Sequence, residues 1–152
     1  MTIIEASNFF EKLLKEANNK RELRVYKGFN TILSNLTSRN LTEDELLSIE
    51  TKLNKLNLNS NPTNKRKYYS KKLNIFKAYL KEEFSLISEG YYTALGMSLG
   101  MCFGVAIGAG FGGASVSVGV SLGMLIGLVI GRTKDVEAEK QNRVLKTKIY
   151  SL

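Results

Sequence analysis

Residues 90–131 read GYYTALGMSLGMCFGVAIGAGFGGASVSVGVSLGMLIGLVIG, and the fold turns on how this stretch is read. Its 42 residues include no Asp, Glu, Lys or Arg, yet they hold 12 of the chain's 13 glycines. A neutral stretch of that length has no polar face to show water. Gly96, Gly100, Gly104, Gly108 and Gly112 stand four apart, and so do Gly119, Gly123, Gly127 and Gly131. Between the rows lies Gly112-Gly113-Ala114-Ser115, small residues suited to a tight turn. The pattern predicts two helical spans, 92–111 and 116–131. At a rise of 1.5 Å per residue they are ~30 Å and ~24 Å long, against a hydrocarbon core of ~30 Å. The shorter span is expected to draw in Ala114 and Ser115, or to thin the bilayer locally.

Glycine every fourth residue has a physical use in lipid. Joining two helices there removes no water, so association depends on how closely the backbones approach. A row of glycines permits that approach, and weak Cα–H···O contacts then accumulate. The first span has a second small face, made of Ser98, Cys102, Ala106, Gly110 and Ala114, about 200° around the helix from the glycines. One face is expected to serve the partner helix and the other a second copy of the chain, giving a homo-oligomer. The same residues also alternate small and bulky, which is a strand's period. A 19-residue strand would be ~62 Å long, however, far beyond the ~10 residues that a tilted spanning strand needs. Helix is therefore the expectation.

Charge outside the stretch is equally uneven. The net charge is +8, and 65–81 holds seven basic residues and no acid: Lys65, Arg66, Lys67, Lys71, Lys72, Lys77 and Lys81. Further cations, Arg132 and Lys134 among them, follow the second span. The positive-inside rule then puts both termini in the cytoplasm. The basic run is expected to meet anionic lipid head groups, at about 1 kcal/mol per residue near the surface. Nucleic acid is not expected as a partner, because no nucleic-acid-binding motif accompanies the charge. Glu5, Glu11 and Lys12 break any early apolar run, so the neutral segment is expected to be its own insertion signal.

The chain has no His and one Cys, Cys102, which excludes His-based acid–base catalysis, Cys/His zinc sites and an intramolecular disulfide. No carboxylate or Ser/Lys constellation points to hydrolysis. The expectation is no enzyme, no catalytic or metal residue and no cofactor. Glu89 is a candidate cap for the amino end of the first span, where the helix dipole favours an anion.

Ahead of the spans the pattern is amphipathic. Phe9, Phe10, Leu13, Leu14 and Ala17 mark one helix, and Val25, Phe29, Ile32 and Leu36 a second. Thr42 and Glu45 form a capping box that opens a third, with Leu46, Ile49, Leu53 and Leu56 as its buried stripe. Asn57–Asn64, with the chain's only proline at Pro62, reads as a linker. A fourth helix aligns Tyr69, Leu73, Phe76, Leu80, Phe84 and Ile87, and is expected to be shared between bundle and membrane. The divisions are an N-terminal helical domain at 1–60, a linker and basic juxtamembrane helix at 61–89, a transmembrane hairpin at 90–131 and a cytoplasmic tail helix at 132–152.

Glu89-Gly90-Tyr91-Tyr92, the glycine rows, and Asp135-Val136-Glu137-Ala138-Glu139-Lys140 with Arg143-Val144-Leu145 resemble bacterial glycine-zipper transmembrane-hairpin proteins. The resemblance covers about 80–146. It implies a bacterial inner membrane and self-packing spans, and it carries over no catalytic residue. The expectation is an all-α protein: a small cytoplasmic helical bundle, a two-helix glycine-zipper hairpin and a short C-terminal helix. Its expected role is an oligomeric membrane scaffold or anchor that presents the bundle to an unidentified cytoplasmic protein. The alternative is a pore-forming or membrane-permeabilising oligomer, which the uncharged spans disfavour because a hydrated pore displays polar groups.

Overall fold

The computed structural model describes residues 1–112 and 115–145. Among them are six helices: α1 (Ile3–Glu16), α2 (Lys20–Thr37), α3 (Glu43–Lys55), α4 (Lys65–Phe84), α5 (Tyr91–Gly110) and α6 (Val116–Lys140). Two short strands, β1 (Ile87–Ser88) and β2 (Val144–Leu145), pair with each other. The protein is all-α. The described residues divide into two compact units, one of Met1–Leu86 with Leu145, the other of Ile87–Val144.

The first unit is a four-helix bundle whose helices start on side-chain caps. Thr2 Oγ1 accepts the Glu5 amide at 3.1 Å while the Glu5 carboxylate accepts the Thr2 amide at 2.9 Å, and Thr42 and Glu45 repeat the arrangement. Asn19 and Asn64 cap α2 and α4 in the same sense, with their side-chain oxygens on the Arg21 and Lys67 amides. Each cap satisfies an amide that the helix itself leaves unpaired.

An aromatic cluster fills the centre of the bundle. Phe10 stacks on Phe29 with centroids 4.2 Å apart, and Tyr69 meets Phe10 and Tyr26 edge-on at 5.8 and 5.5 Å. Ile32, Leu33, Leu36, Ile49, Leu53, Phe76 and Leu80 close the core around it. Two tyrosines also use their hydroxyls. Tyr68 donates to the Asn57 carbonyl at 2.7 Å and Tyr69 to the Leu58 carbonyl at 3.0 Å, which fastens the start of the 57–64 linker against α4. Leu58, in that linker, is itself buried.

Three expectations are corrected here. Leu46 is 41% exposed and not part of the α3 stripe, because it sits in the first turn, ahead of the buried Ile49 and Leu53. Helix α4 stops at Phe84, where Ser85 turns left-handed at φ 54°, so it is not shared with the spans; its buried residues Tyr69, Leu73, Phe76 and Leu80 all belong to the bundle core. Among the described residues no separate tail helix follows the second span: 132–140 continues α6, the chain turns at Gln141 and Asn142, and β2 follows. The expected helix beyond 145 lies outside the described residues.

Candidate functional site: the glycine interface of the hairpin

Helices α5 and α6 run antiparallel with their glycine rows face to face. A Cβ placed on Gly96 would fall on the Gly127 carbonyl, one on Gly100 on the Gly123 carbonyl, and one on Gly104 on the Gly119 carbonyl. The reverse substitutions meet the reverse carbonyls. Each four-residue step forward on α5 is matched by four back on α6. At the turn end, a Gly108 Cβ would lie 2.6 Å from Val116 Cα, and at the other end a Gly131 Cβ would lie 2.7 Å from Thr93 Cα. Real Cβ atoms do not approach other heavy atoms that closely. Glycine is therefore a steric requirement at eight of the nine expected positions.

Gly112 is the exception. Nothing lies within 4 Å of where its Cβ would be, and its φ of +97° suits a residue without a side chain. It serves the turn rather than the interface. Bulky side chains point away from the contact: Phe103, Ile107, Leu122, Leu125, Ile126, Val129 and Ile130 are all more than half exposed. The second small face is open as well, since Ser98, Cys102, Ala106 and Gly110 are exposed. Ala114, its fifth expected member, lies outside the described residues.

One residue absent from the expectations completes the interface. Asp135 Oδ1 accepts the Tyr92 amide at 3.0 Å, and Oδ2 accepts the Thr93 amide at 2.9 Å and the Thr93 hydroxyl at 2.6 Å. A carboxylate thus caps the amino end of α5, where the helix dipole favours negative charge. This cap comes from the partner helix. Its place was signalled in the spacing, because Asp135 is the next fourth residue after Gly131. Ile87 donates to the Arg143 carbonyl at 2.9 Å and ties together the two ends of this unit.

The seven basic residues of α4 do not share one face, since the helix turns 100° per residue. Arg66, Lys67 and Lys71 border a surface hollow of about 720 Å³ together with Asn64, Ser70 and Asn74. Lys72 instead lies over the Tyr68 ring, 5.0 Å from its centroid and inside the ~6 Å reach of a cation–π contact. Lys77 is half-buried, and desolvation lowers its pKa. Lys65 and Lys81 are exposed. No group of three or more potential metal ligands occurs among the described residues. In comparisons with protein-family models, curated proteins and solved structures, the chain matches none.

Proposed function

We propose that the chain is a non-enzymatic integral membrane protein in which the α5–α6 hairpin anchors the helical bundle to a bilayer. One observation carries the reading. Both helices are long and apolar enough to cross a membrane, yet only 11% of the most apolar window of each is buried within the protein. A core helix of a soluble protein would be mostly covered. Leaving this much contiguous apolar surface in water costs ~25 cal/mol per Å², and lipid removes that cost.

The antiparallel register puts the start of α5 and the end of the apolar part of α6 at one end of the hairpin. In a bilayer both flanks then lie on one side; the basic residues support the cytoplasm as that side, and the resemblance of 80–146 supports a bacterial inner membrane. The glycine rows are occupied by each other, so self-association falls to the other small face, Ser98, Cys102, Ala106 and Gly110. The scaffold reading is preferred to the pore because no charged side chain projects from 90–131. The exposed cations of α4 supply contact with anionic lipid, and the bundle surface is left for a protein partner.

Alkaline-carbonate extraction of membranes containing the full chain tests the anchor. The expected result is retention in the pellet; release into the supernatant overturns it. Oxidative crosslinking at Cys102 in the same membranes tests the open face, with a disulfide-linked dimer expected and monomer alone counting against self-association. Liposomes that leak dye when the chain is reconstituted would favour the pore.

A further inference from the structure

The glycine contacts fix how far the hairpin can reach. Gly108 lies against Val116 and Gly131 against Thr93, so 93–108 on α5 runs beside 116–131 on α6. That paired length is ~22 Å, and the four residues from Gly108 to Gly112 add at most ~6 Å. The hydrocarbon core is ~30 Å thick, and the ~20° tilt usual for spanning helices shortens the reach further.

Charge holds one end of this length at a membrane surface. The Asp135 carboxylate is bonded to the Tyr92 and Thr93 amides, so its charge stays level with the start of α5. Arg132 and Lys134, both exposed, lie beside it on α6. With Thr93 at the near edge of the hydrocarbon, the tip at Gly112 is ~28 Å away and does not reach the far edge.

The chemistry of the tip suits that position. Phe111, at 79%, is the most exposed large apolar residue among those described. Its amide donates to the Gly108 carbonyl at 3.3 Å, the Gly112 amide to the Ala109 carbonyl at 3.4 Å and the Ser115 amide to the Gly112 carbonyl at 2.9 Å. The Ser115 hydroxyl donates to the Phe111 carbonyl at 3.4 Å. Elsewhere in the hairpin Ser98 and Ser121 likewise turn their hydroxyls onto the Leu95 and Ser117 carbonyls, at 2.8 and 2.9 Å. Each such bond removes the cost, several kcal/mol, of leaving a polar group unpaired in hydrocarbon. A bilayer thins around a short span whose far end must reach water, and 111–115 has no charge to demand it.

We propose that the hairpin enters the bilayer at its charged end and turns back within the far leaflet, with Phe111 among lipid acyl chains and nothing of 90–131 exposed on the far side. The inference rests on the membrane reading above. It makes the chain a one-sided anchor: a partner reaches it only from the side of its flanks, and a pore built from it would lack a far mouth.

Tryptophan fluorescence of the full chain in vesicles tests it. The sequence has no Trp, so Phe111→Trp installs a single reporter with little change of shape. Glu139→Trp, at an exposed position of α6 beyond Arg132, is the near-side reference. With iodide on both sides of the vesicles, Phe111→Trp is expected to be quenched about fivefold less than Glu139→Trp, because hydrocarbon excludes the ion. Lipid brominated along its acyl chains is expected to reverse that order. Equal quenching by iodide overturns the inference, since the tip then meets water. Shielding of Phe111→Trp from both quenchers also overturns it, since protein and not lipid then covers the tip. Phe111→Cys in a Cys102→Ala chain gives a second measurement: a charged maleimide is expected to label it only after detergent is added, and labelling in intact vesicles overturns the inference. A chain that floats with vesicles but fails these tests defeats this inference alone, whereas one that does not float defeats the membrane reading with it.

Discussion

In the bundle, Phe10 stacks on Phe29 at 4.2 Å, and each helix meets its neighbours through side chains that are fully buried. In the hairpin, Gly100 faces the Gly123 carbonyl with no side chain between them, and the large residues point outward. Water explains the first arrangement: burying a large apolar side chain there contributes ~1.5–3 kcal/mol. On the membrane reading proposed above, lipid accounts for the second, because burial of a leucine from hydrocarbon gains little and close backbone contact is what remains. The same chain therefore follows two packing rules, and the position of the glycines marks where one gives way to the other.

The sharpest way to break the contrast is Gly104→Leu. Its Cβ would collide with the Gly119 carbonyl and come within 2.9 Å of Val120 Cα, and neither backbone can move aside while the helices stay paired. The hairpin should open, with a loss of at least ~3 kcal/mol, the upper end of ordinary overpacking. Ala109→Leu is the matched control, since Ala109 is exposed and belongs neither to the glycine row nor to the second small face. Steric-trap or SDS-unfolding measurements in micelles should separate the two variants. Equal behaviour would defeat the interface described above.

The bundle should respond to the opposite change. Phe10→Ala removes a fully buried ring from the middle of the aromatic cluster and is expected to cost ~3–5 kcal/mol. Denaturant unfolding followed by tyrosine fluorescence should show the loss, while the hairpin's glycine contacts, in the other unit, keep their stability. Asp135→Ala comes next. It leaves the Tyr92 and Thr93 amides without their acceptor, for an expected ~1–2 kcal/mol. Hydrogen exchange at those two amides should accelerate in this variant, and Asp135→Asn should restore part of the protection.

Legibility followed the same division. Glycine rows can be read directly, because a missing side chain means the same thing in every context, and even the register follows from the spacing. Asp135 continues that row, but a search for apolar and small residues passes over a carboxylate. In the bundle, period alone found Ile49 and Leu53 and also admitted Leu46, whose exposure depends on what packs against the first turn of α3. Tyr69 was legible as an apolar face residue; its hydroxyl bond to the Leu58 carbonyl was not, since linker geometry has no period. Thr2 and Glu5 have the spacing of Thr42 and Glu45, so that cap was open to the same reasoning. The basic run looked like one patch in sequence and is distributed around α4 in three dimensions, because charge spacing there does not follow the helical turn.

The smallest effect at neutral pH should come from Tyr26, where the bundle's packing rule conflicts with a polar atom. Its ring is 1% exposed within the aromatic cluster, and its hydroxyl is buried without a hydrogen-bond partner. Burial foremost, with Glu22 and Tyr69 adding to it, pushes its pKa from 10.0 up to about 12. Tyr26→Phe keeps the ring and removes the unsatisfied group, so stability at pH 7 should stay level or rise by up to ~1 kcal/mol. The pH dependence has a definite sign. A phenol with a higher pKa folded than unfolded contributes stability that is fully present below pH 10 and lost as pH rises toward about 12, because the unfolded chain releases its proton first. Chemical denaturation at pH 7, 10 and 11.5 should therefore show a steeper alkaline decline for the natural sequence than for Tyr26→Phe. Parallel curves would mean that the hydroxyl reaches water, and that the bundle core is less tightly closed at that point than its aromatic packing implies.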